Sequence, residues 1–151
     1  MGLFGFGKTA VHISRSVYEE ILNHARESYP NECCGVLVGA NYGGERKIFE
    51  SHRATNANTD RAHDRYIIEA NEFNLIDKMA RSQSMDIMGF YHSHPDHPDK
   101  PSETDRQEGQ TGYSYIIISV KGGKDTSMRS WMIEEDTSPF TEEKIKVLEN
   151  Q

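Results

Sequence analysis

The chain has 151 residues, of which 35% are hydrophobic and 27% charged, and its formal net charge is -7. A chain of this length fits one domain with its own hydrophobic core, and the composition is far from that of a disordered protein. Lys and Arg are neither in excess nor gathered into a stripe, which excludes a protein that binds nucleic acid by neutralising phosphates.

From the sequence we expect neither a membrane span nor an export signal. Its apolar runs fall far short of a membrane span, and residues 1–9 lack the basic start, apolar stretch and cleavage site of a signal peptide. We therefore expect a cytoplasmic protein without a membrane partner. No repeat or linker divides the chain, so we expect one domain over residues 1–151, with a core over about 10–135 and a tail over 136–151.

The first third of the chain predicts a strand, a helix and a hairpin. Residues 10–13 alternate like a short strand, and residues 17–25 carry apolar side chains at helical spacing behind a serine cap. The apolar run over residues 33–38 predicts a buried strand. Residues 47–50 predict its partner across a Gly-rich turn, which makes the pair a hairpin.

The middle of the chain changes from loop to helix and back to strand. Residues 51–64 are mostly polar and predict a loop, and residues 65–68 predict a short strand. Apolar side chains then recur at helical spacing, which predicts a helix over residues 70–82. Residues 85–91 are largely apolar and predict a strand that leads to His92.

The last third begins with a proline-rich loop. Three prolines disfavour regular structure until Ser102, which begins a segment typical of a helix start. Residues 113–120 and 128–133 predict two strands, and residues 140–148 predict a last strand or helix. Helices and strands mix without the alternation of a doubly wound sheet, so we expect an α/β protein with a central mixed sheet flanked by helices.

The densest group of polar residues follows the predicted strand over residues 85–91. His92 and His94 stand two positions apart, which points both imidazoles to the same side of a strand, and Asp105 follows at the next helix start. These three side chains can bind one metal ion and leave a fourth position for water, as in a catalytic zinc site. The same ligand types also suit the iron of oxygenases, so they do not settle the metal.

Two further residues favour hydrolysis. Ser102 lies three positions before Asp105, within one helical turn, so its hydroxyl can face the same pocket and donate to an oxyanion. Glu32 precedes a buried strand and is a candidate general base for a zinc-bound water. An iron oxygenase has no evident use for these two groups. The signatures of zinc deaminases and of thermolysin-like peptidases are absent from the sequence.

In order and spacing, Glu32, His92-Ser93-His94, Ser102 and Asp105 match the JAMM motif of MPN-domain metallopeptidases. Residues 29–35, Tyr-Pro-Asn-Glu-Cys-Cys-Gly, also resemble the surroundings of the catalytic glutamate in short prokaryotic members, and the resemblance covers about residues 11–133. It implies the MPN/JAB fold and one Zn²⁺ per chain, held by the two histidines and the aspartate. It further implies that Glu32 is the acid/base partner of the bound water and that Ser102 stabilises the tetrahedral intermediate.

The resemblance also implies a substrate class. Family members typically cleave amide or isopeptide bonds at the C-terminal Gly-Gly of ubiquitin or of ubiquitin-like proteins, and short prokaryotic relatives are similar to enzymes that process small ubiquitin-like sulfur carriers. We therefore expect an isopeptidase whose partner is the C-terminal tail of such a carrier, lying extended along a strand edge. Residues 56–66 are the expected part of that groove. The chain departs from larger members in being nearly a bare domain, with little room for the insertions with which they clamp ubiquitin chains, so we do not expect specificity for polyubiquitin.

Two other functions stay open. A non-catalytic MPN scaffold typically lacks at least one metal ligand, whereas here none is missing. A metal-storage or regulatory site would need a fourth ligand such as Cys33 or Cys34, which we instead expect to be small buried hydrophobes. Three groups of residues are expected to have no part in the chemistry: a solvated loop over residues 96–99; surface or packing histidines at 12, 24, 52 and 63; and core aromatics at 113, 115, 131 and 140.

Overall fold

The computed structural model describes residues 10–56, 68–135 and 139–149. In chain order, its elements are β1 (Ala10–Ser14), α1 (Arg15–Ser28), β2 (Cys34–Tyr42), β3 (Glu45–Ala54), α2 (Ala70–Ser82), β4 (Asp86–Pro95), α3 (Glu103–Glu108), β5 (Ser114–Lys121), β6 (Asp125–Ile133) and β7 (Phe140–Leu148). No helix of these three ranges is long and apolar enough to cross a membrane.

The strands of the described residues form one mixed sheet that closes into a barrel, in the order β1, β3, β2, β4, β5, β6 and β7. β1 runs parallel to both β3 and β7, and β4 runs parallel to β5. The other neighbours are antiparallel. Closure gives each strand a neighbour on both sides and so removes the exposed edges of the sheet. The predicted α/β class with a mixed sheet and flanking helices is confirmed. The sequence did not predict the pairing of β7 with β1, which closes the sheet into a barrel.

α1 forms where apolar residues recur at helical spacing between two capped ends. The Ser14 hydroxyl accepts a hydrogen bond from the Val17 N–H at 3.3 Å, and the chain turns away after Ser28, before Pro30. Val17 and Ile21 are at most 4% exposed and belong to the larger hydrophobic core. Complete burial of one such side chain contributes about 1.5–3 kcal/mol, so this face docks the helix on the sheet.

β2 is apolar along its buried length because both of its faces are covered. Leu37 belongs to the larger core with α1, whereas Val36 and Val38 belong to a second core with Ile76 and Ala80 of α2. Side chains alternate across a strand, so a continuous apolar run satisfies both layers. α2 has the bounds that the sequence predicts, because local periodicity defines it.

β3 is longer than predicted, and the loop expected from residue 51 was wrong up to Ala54. Pairing with β2 continues to the Cys34–Ala54 pair despite the polar composition. Arg53 on this stretch forms ion pairs with Glu20 at 2.7 Å and Glu27 at 2.9 Å, both on α1. Polar strand residues are thus accommodated by charges on the helix above them. Most of the strand predicted over residues 65–68 lies outside the described residues.

An ion pair with a buried carboxylate joins four strands of the barrel. Glu143 of β7 is 1% exposed and accepts hydrogen bonds from the hydroxyls of Ser114 and Ser130, on β5 and β6. Its other oxygen lies 3.3 Å from the guanidinium of Arg46, on β3. A buried carboxylate is tolerated only when it is paired and hydrogen-bonded, as here. The cluster therefore fixes the register of four strands.

Candidate metal centre

Three side chains converge where β4 ends and α3 begins. His92 and His94 lie on the same face of β4, and Asp105 is the third residue of α3. The Nε2 atoms of the two histidines are 3.2 Å apart, and they lie 3.1 and 3.2 Å from the two carboxylate oxygens of Asp105. Within the described ranges, these residues form the only group of three potential ligands that could hold a metal ion.

The donor set fits a divalent cation. Two imidazole nitrogens and a carboxylate oxygen, all within 4.8 Å of one another, are the ligand types that zinc and other transition metals prefer. The Nδ1 atom of His94 lies 2.7 Å from the carbonyl oxygen of Pro98. Because a carbonyl can only accept, this nitrogen carries the proton, and the Nε2 lone pair is left for a metal.

Asp105 is oriented by the start of α3. The Ser102 N–H donates to Asp105 Oδ2 at 2.8 Å, and the Asp105 N–H donates to Ser102 Oγ at 3.1 Å, which makes a reciprocal capping box. Burial raises the pKa of Asp105, but hydrogen bonds to His92 and His94 outweigh it and hold the pKa far below the ordinary value. The carboxylate is therefore ionised and fixed toward the histidines.

The pKa values of the two histidines are shifted in opposite directions. Burial lowers the pKa of His92, and the neighbouring Asp105 offsets this only in part. Burial also lowers the pKa of His94, but the hydrogen bond with Asp105, the Pro98 carbonyl and the charge of Glu32 together raise it above its ordinary value. A metal ligand must be neutral, so cation binding displaces any proton from His94.

Ser102 lies at the mouth of the same site. Its hydroxyl oxygen accepts the hydrogen bond from Asp105, which leaves the hydroxyl hydrogen to donate elsewhere. Ser102, His94 and Glu32 all line a cavity of about 400 Å³. The structure thus brings to one place residues that the sequence separates by as many as 70 positions.

Glu32 is half-buried in the segment between α1 and β2. It lines the cavity of about 400 Å³ and also a second cavity of about 280 Å³, whose lining includes Asn56 and Ser28. Glu32 reaches this position because Cys34 pairs with His92 across β2 and β4, so the chain just before β2 emerges beside the ligands. Of the groove predicted over residues 56–66, the structure describes Asn56, and residues 57–66 lie outside the described residues.

The loop between the ligands is more firmly held than predicted. Asp99 is only 7% exposed, accepts from the Ser127 hydroxyl at 2.9 Å and pairs with Arg129 at 3.3 Å. The Trp131 indole N–H donates to the Asp99 carbonyl at 3.0 Å. The predicted solvated loop was therefore wrong for Asp99, which ties the loop to β6. No local sequence signal indicates this, because its partners lie about 30 residues further along the chain.

The cysteines are free and buried, as predicted. Burial raises the pKa of the Cys33 thiol to about 11 and that of Cys34 to about 12, so both are neutral at pH 7. Neither belongs to the group of potential ligands, which argues against a closed four-ligand site. Tyr115 is buried against Phe140, in agreement with a core role, and Trp131 is half-buried.

The histidines at positions 12, 24 and 52 are not part of the ligand group. His24 is buried, and its Nδ1 atom lies 2.6 Å from the Tyr91 hydroxyl. His52 lies 3.0 Å from Glu50, and His12 is half-buried on β1. These positions agree with the predicted surface or packing roles. His63 lies outside the described residues.

Comparison with known proteins gives consistent matches. The sequence profile described as prokaryotic homologs of the JAB domain matches residues 14–134. A desampylase from Haloferax volcanii is 36% identical over 109 residues, which cover 69% of this chain and 76% of that protein.

Solved structures agree with these matches. A solution structure from Desulfitobacterium hafniense has a TM-score of 0.80 at 28% identity and covers 93% of this chain and 94% of its own. One from Salinibacter ruber has a TM-score of 0.72 at 34% identity and covers 93% of each chain. A JAB1/MPN domain protein from Archaeoglobus fulgidus has a TM-score of 0.59 at 20% identity, covering 92% of this chain and 98% of its own, and so shows likeness of fold.

Proposed function

Since this chain belongs to the family of prokaryotic JAB-domain proteins, we propose that it is a zinc-dependent hydrolase of the C-terminal tails of ubiquitin-like proteins, including sulfur carriers. The bond cleaved is an amide or isopeptide after the tail. The observation that carries the proposal is the convergence of the His92, His94 and Asp105 ligand atoms beside a cavity lined by Glu32 and Ser102. The similarity to a desampylase supports a hydrolase.

One zinc ion per chain is the proposed cofactor. Bound zinc supplies a Lewis acid that lowers the pKa of a water to about 7 and polarises a carbonyl. His92 and His94 would hold the ion through their Nε2 atoms, and Asp105 would hold it through its carboxylate. The presence of a carboxylate and a hydroxyl in the cavity of about 400 Å³ supports hydrolysis rather than oxygenase chemistry.

Two residues act on protons and charge. Glu32 takes a proton from the attacking water and passes it to the departing amine, which has to leave in protonated form. Ser102 donates its hydroxyl hydrogen to the carbonyl oxygen as negative charge develops there. Because its Oγ is held by the Asp105 N–H, this hydroxyl needs little rearrangement before it donates.

The two parts of the substrate, the acyl tail and the leaving amine, lie on opposite sides of Glu32. This residue lines both cavities, so a bond beside it has one space for the acyl part and another for the amine. We place the carrier tail on the Asn56 side and the leaving group in the cavity of about 400 Å³. Residues 1–151 are proposed to act as one domain.

The proposal is tested by cleavage of a ubiquitin-like sulfur carrier extended past its C-terminal Gly-Gly, with mass spectrometry of the products. Cleavage after Gly-Gly that stops with a chelator and returns with zinc is the expected result. Bound zinc without cleavage of any such carrier would refute the substrate class and favour a non-catalytic scaffold. Full cleavage in the presence of the chelator would refute the metal mechanism.

A further inference from the structure

Ser93, between the two histidines, is bound to the backbone next to Glu32. Its side chain is 0% exposed. The Cys33 N–H donates to Ser93 Oγ at 2.9 Å, and the Ser93 N–H donates to the Cys33 carbonyl oxygen at 3.1 Å. Both bonds are buried and link the first residue after Glu32 to the middle of the ligand pair.

This contact replaces one bond of a regular strand pair. β2 and β4 pair as far as Cys34 and His92, so the next opposed residues are Cys33 and Ser93. In a regular antiparallel ladder, two such residues exchange two backbone hydrogen bonds. Here the second bond goes to a serine hydroxyl, which lets the chain diverge from β4 at Glu32 while it stays attached.

A second contact holds the other side of Glu32. The Tyr29 hydroxyl donates to Asp96 Oδ2 at 2.6 Å, and Asp96 Oδ1 accepts from the Gly122 N–H at 2.9 Å. Asp96 follows directly after β4, the strand that carries His92 and His94. Glu32 therefore lies between two attachments to the segment that supplies the histidines.

We propose that Ser93 is a positioning residue, which sets the place of the Glu32 carboxylate relative to the metal-ligand group. This inference rests on the proposed function. Ser93 points to the opposite face of β4 from His92 and His94, because side chains alternate along a strand, and so it is not itself a ligand. A general base works only within hydrogen-bond reach of its proton, so a small displacement of Glu32 lowers turnover.

The test compares Ser93→Ala with Ser93→Thr, which keeps the oxygen acceptor. We expect Ser93→Ala to lower kcat about 10- to 100-fold while KM and zinc content stay within about twofold, and Ser93→Thr to recover most of the loss. The matched control is Ser130→Ala. Ser130 is also 0% exposed and donates to Glu143 at 2.7 Å, so it loses a comparable buried bond. Its kcat should equal that of the wild type.

A second readout needs neither metal nor substrate. Amide hydrogen exchange of Cys33 in the metal-free protein, followed by NMR, should accelerate in Ser93→Ala and return to the wild-type rate in Ser93→Thr. Wild-type kcat in Ser93→Ala, or equal losses of kcat in the Ala and Thr variants, would overturn the positioning role. A wild-type enzyme that cleaves no carrier would refute the proposed function instead. In that case unchanged Cys33 exchange in Ser93→Ala overturns the inference, and accelerated exchange supports it.

Discussion

His24 should make the free energy of unfolding depend on pH. It is 8% exposed, and burial, aided by the charge of Arg53, lowers its pKa from 6.5 to about 4. A buried histidine with a lowered pKa favours the fold while it is neutral. Its contribution is therefore complete above pH 6.5 and is lost as the pH falls toward 4, because the unfolded chain then binds the proton more readily.

The size of this effect follows from the two pKa values. The gap between 6.5 unfolded and about 4 folded, at about 1.4 kcal/mol for each pKa unit, corresponds to about 3 kcal/mol. About 2 kcal/mol of that is lost between pH 7 and pH 5. Protonation of His24 also changes its 2.6 Å contact with the hydroxyl of Tyr91, the residue before His92, so acid should loosen the strand that carries the ligands.

The assay is urea unfolding of the wild type and of His24→Gln at pH 7 and pH 5. A chelator is present throughout, because metal binding to histidine is itself dependent on pH. Between pH 7 and pH 5, the free energy of unfolding of the wild type should fall by about 2 kcal/mol more than that of His24→Gln. His12→Gln, on β1, controls for the loss of a histidine outside the core. Equal losses in the wild type and His24→Gln would show that His24 is not held neutral by the fold.

Three further substitutions test the site and the barrel. Glu32→Gln should keep zinc but lower kcat about 10²- to 10⁴-fold, because proton transfer is removed while the ligands stay; equal activity would exclude the mechanism. His94→Ala should lose both zinc and activity, and stoichiometric zinc by metal analysis would remove His94 from the ligand set. Glu143→Gln leaves the half-buried Arg46 without its counter-charge and should cost about 3–5 kcal/mol in urea unfolding, whereas a loss below about 1 kcal/mol would contradict a structural role.

The sequence alone determined what is local. The bounds of α2 follow from helical periodicity, and the Ser102 cap from the residues of a single turn. The shared face of His92 and His94 follows from the strand, because alternate residues of a strand point to the same side. Such features depend on a few neighbouring residues, whose conformational preferences reinforce one another. The residue pattern alone made Glu32 a candidate, and the resemblance to a family motif supplied its role.

Only the tertiary structure decided what depends on distant pairings. Glu32 lies beside the histidines because β2 pairs with β4, and Asp99 is buried because Ser127 and Arg129 come from another strand. The extension of β3 to Ala54 and the closure of the sheet by β7 have the same origin. From the sequence alone, a polar residue in a loop cannot be distinguished from one in a strand, because the two differ in the residues that they contact. Those contacts depend on the arrangement of the whole sheet, since each strand pairs only where the adjacent strands are also in place.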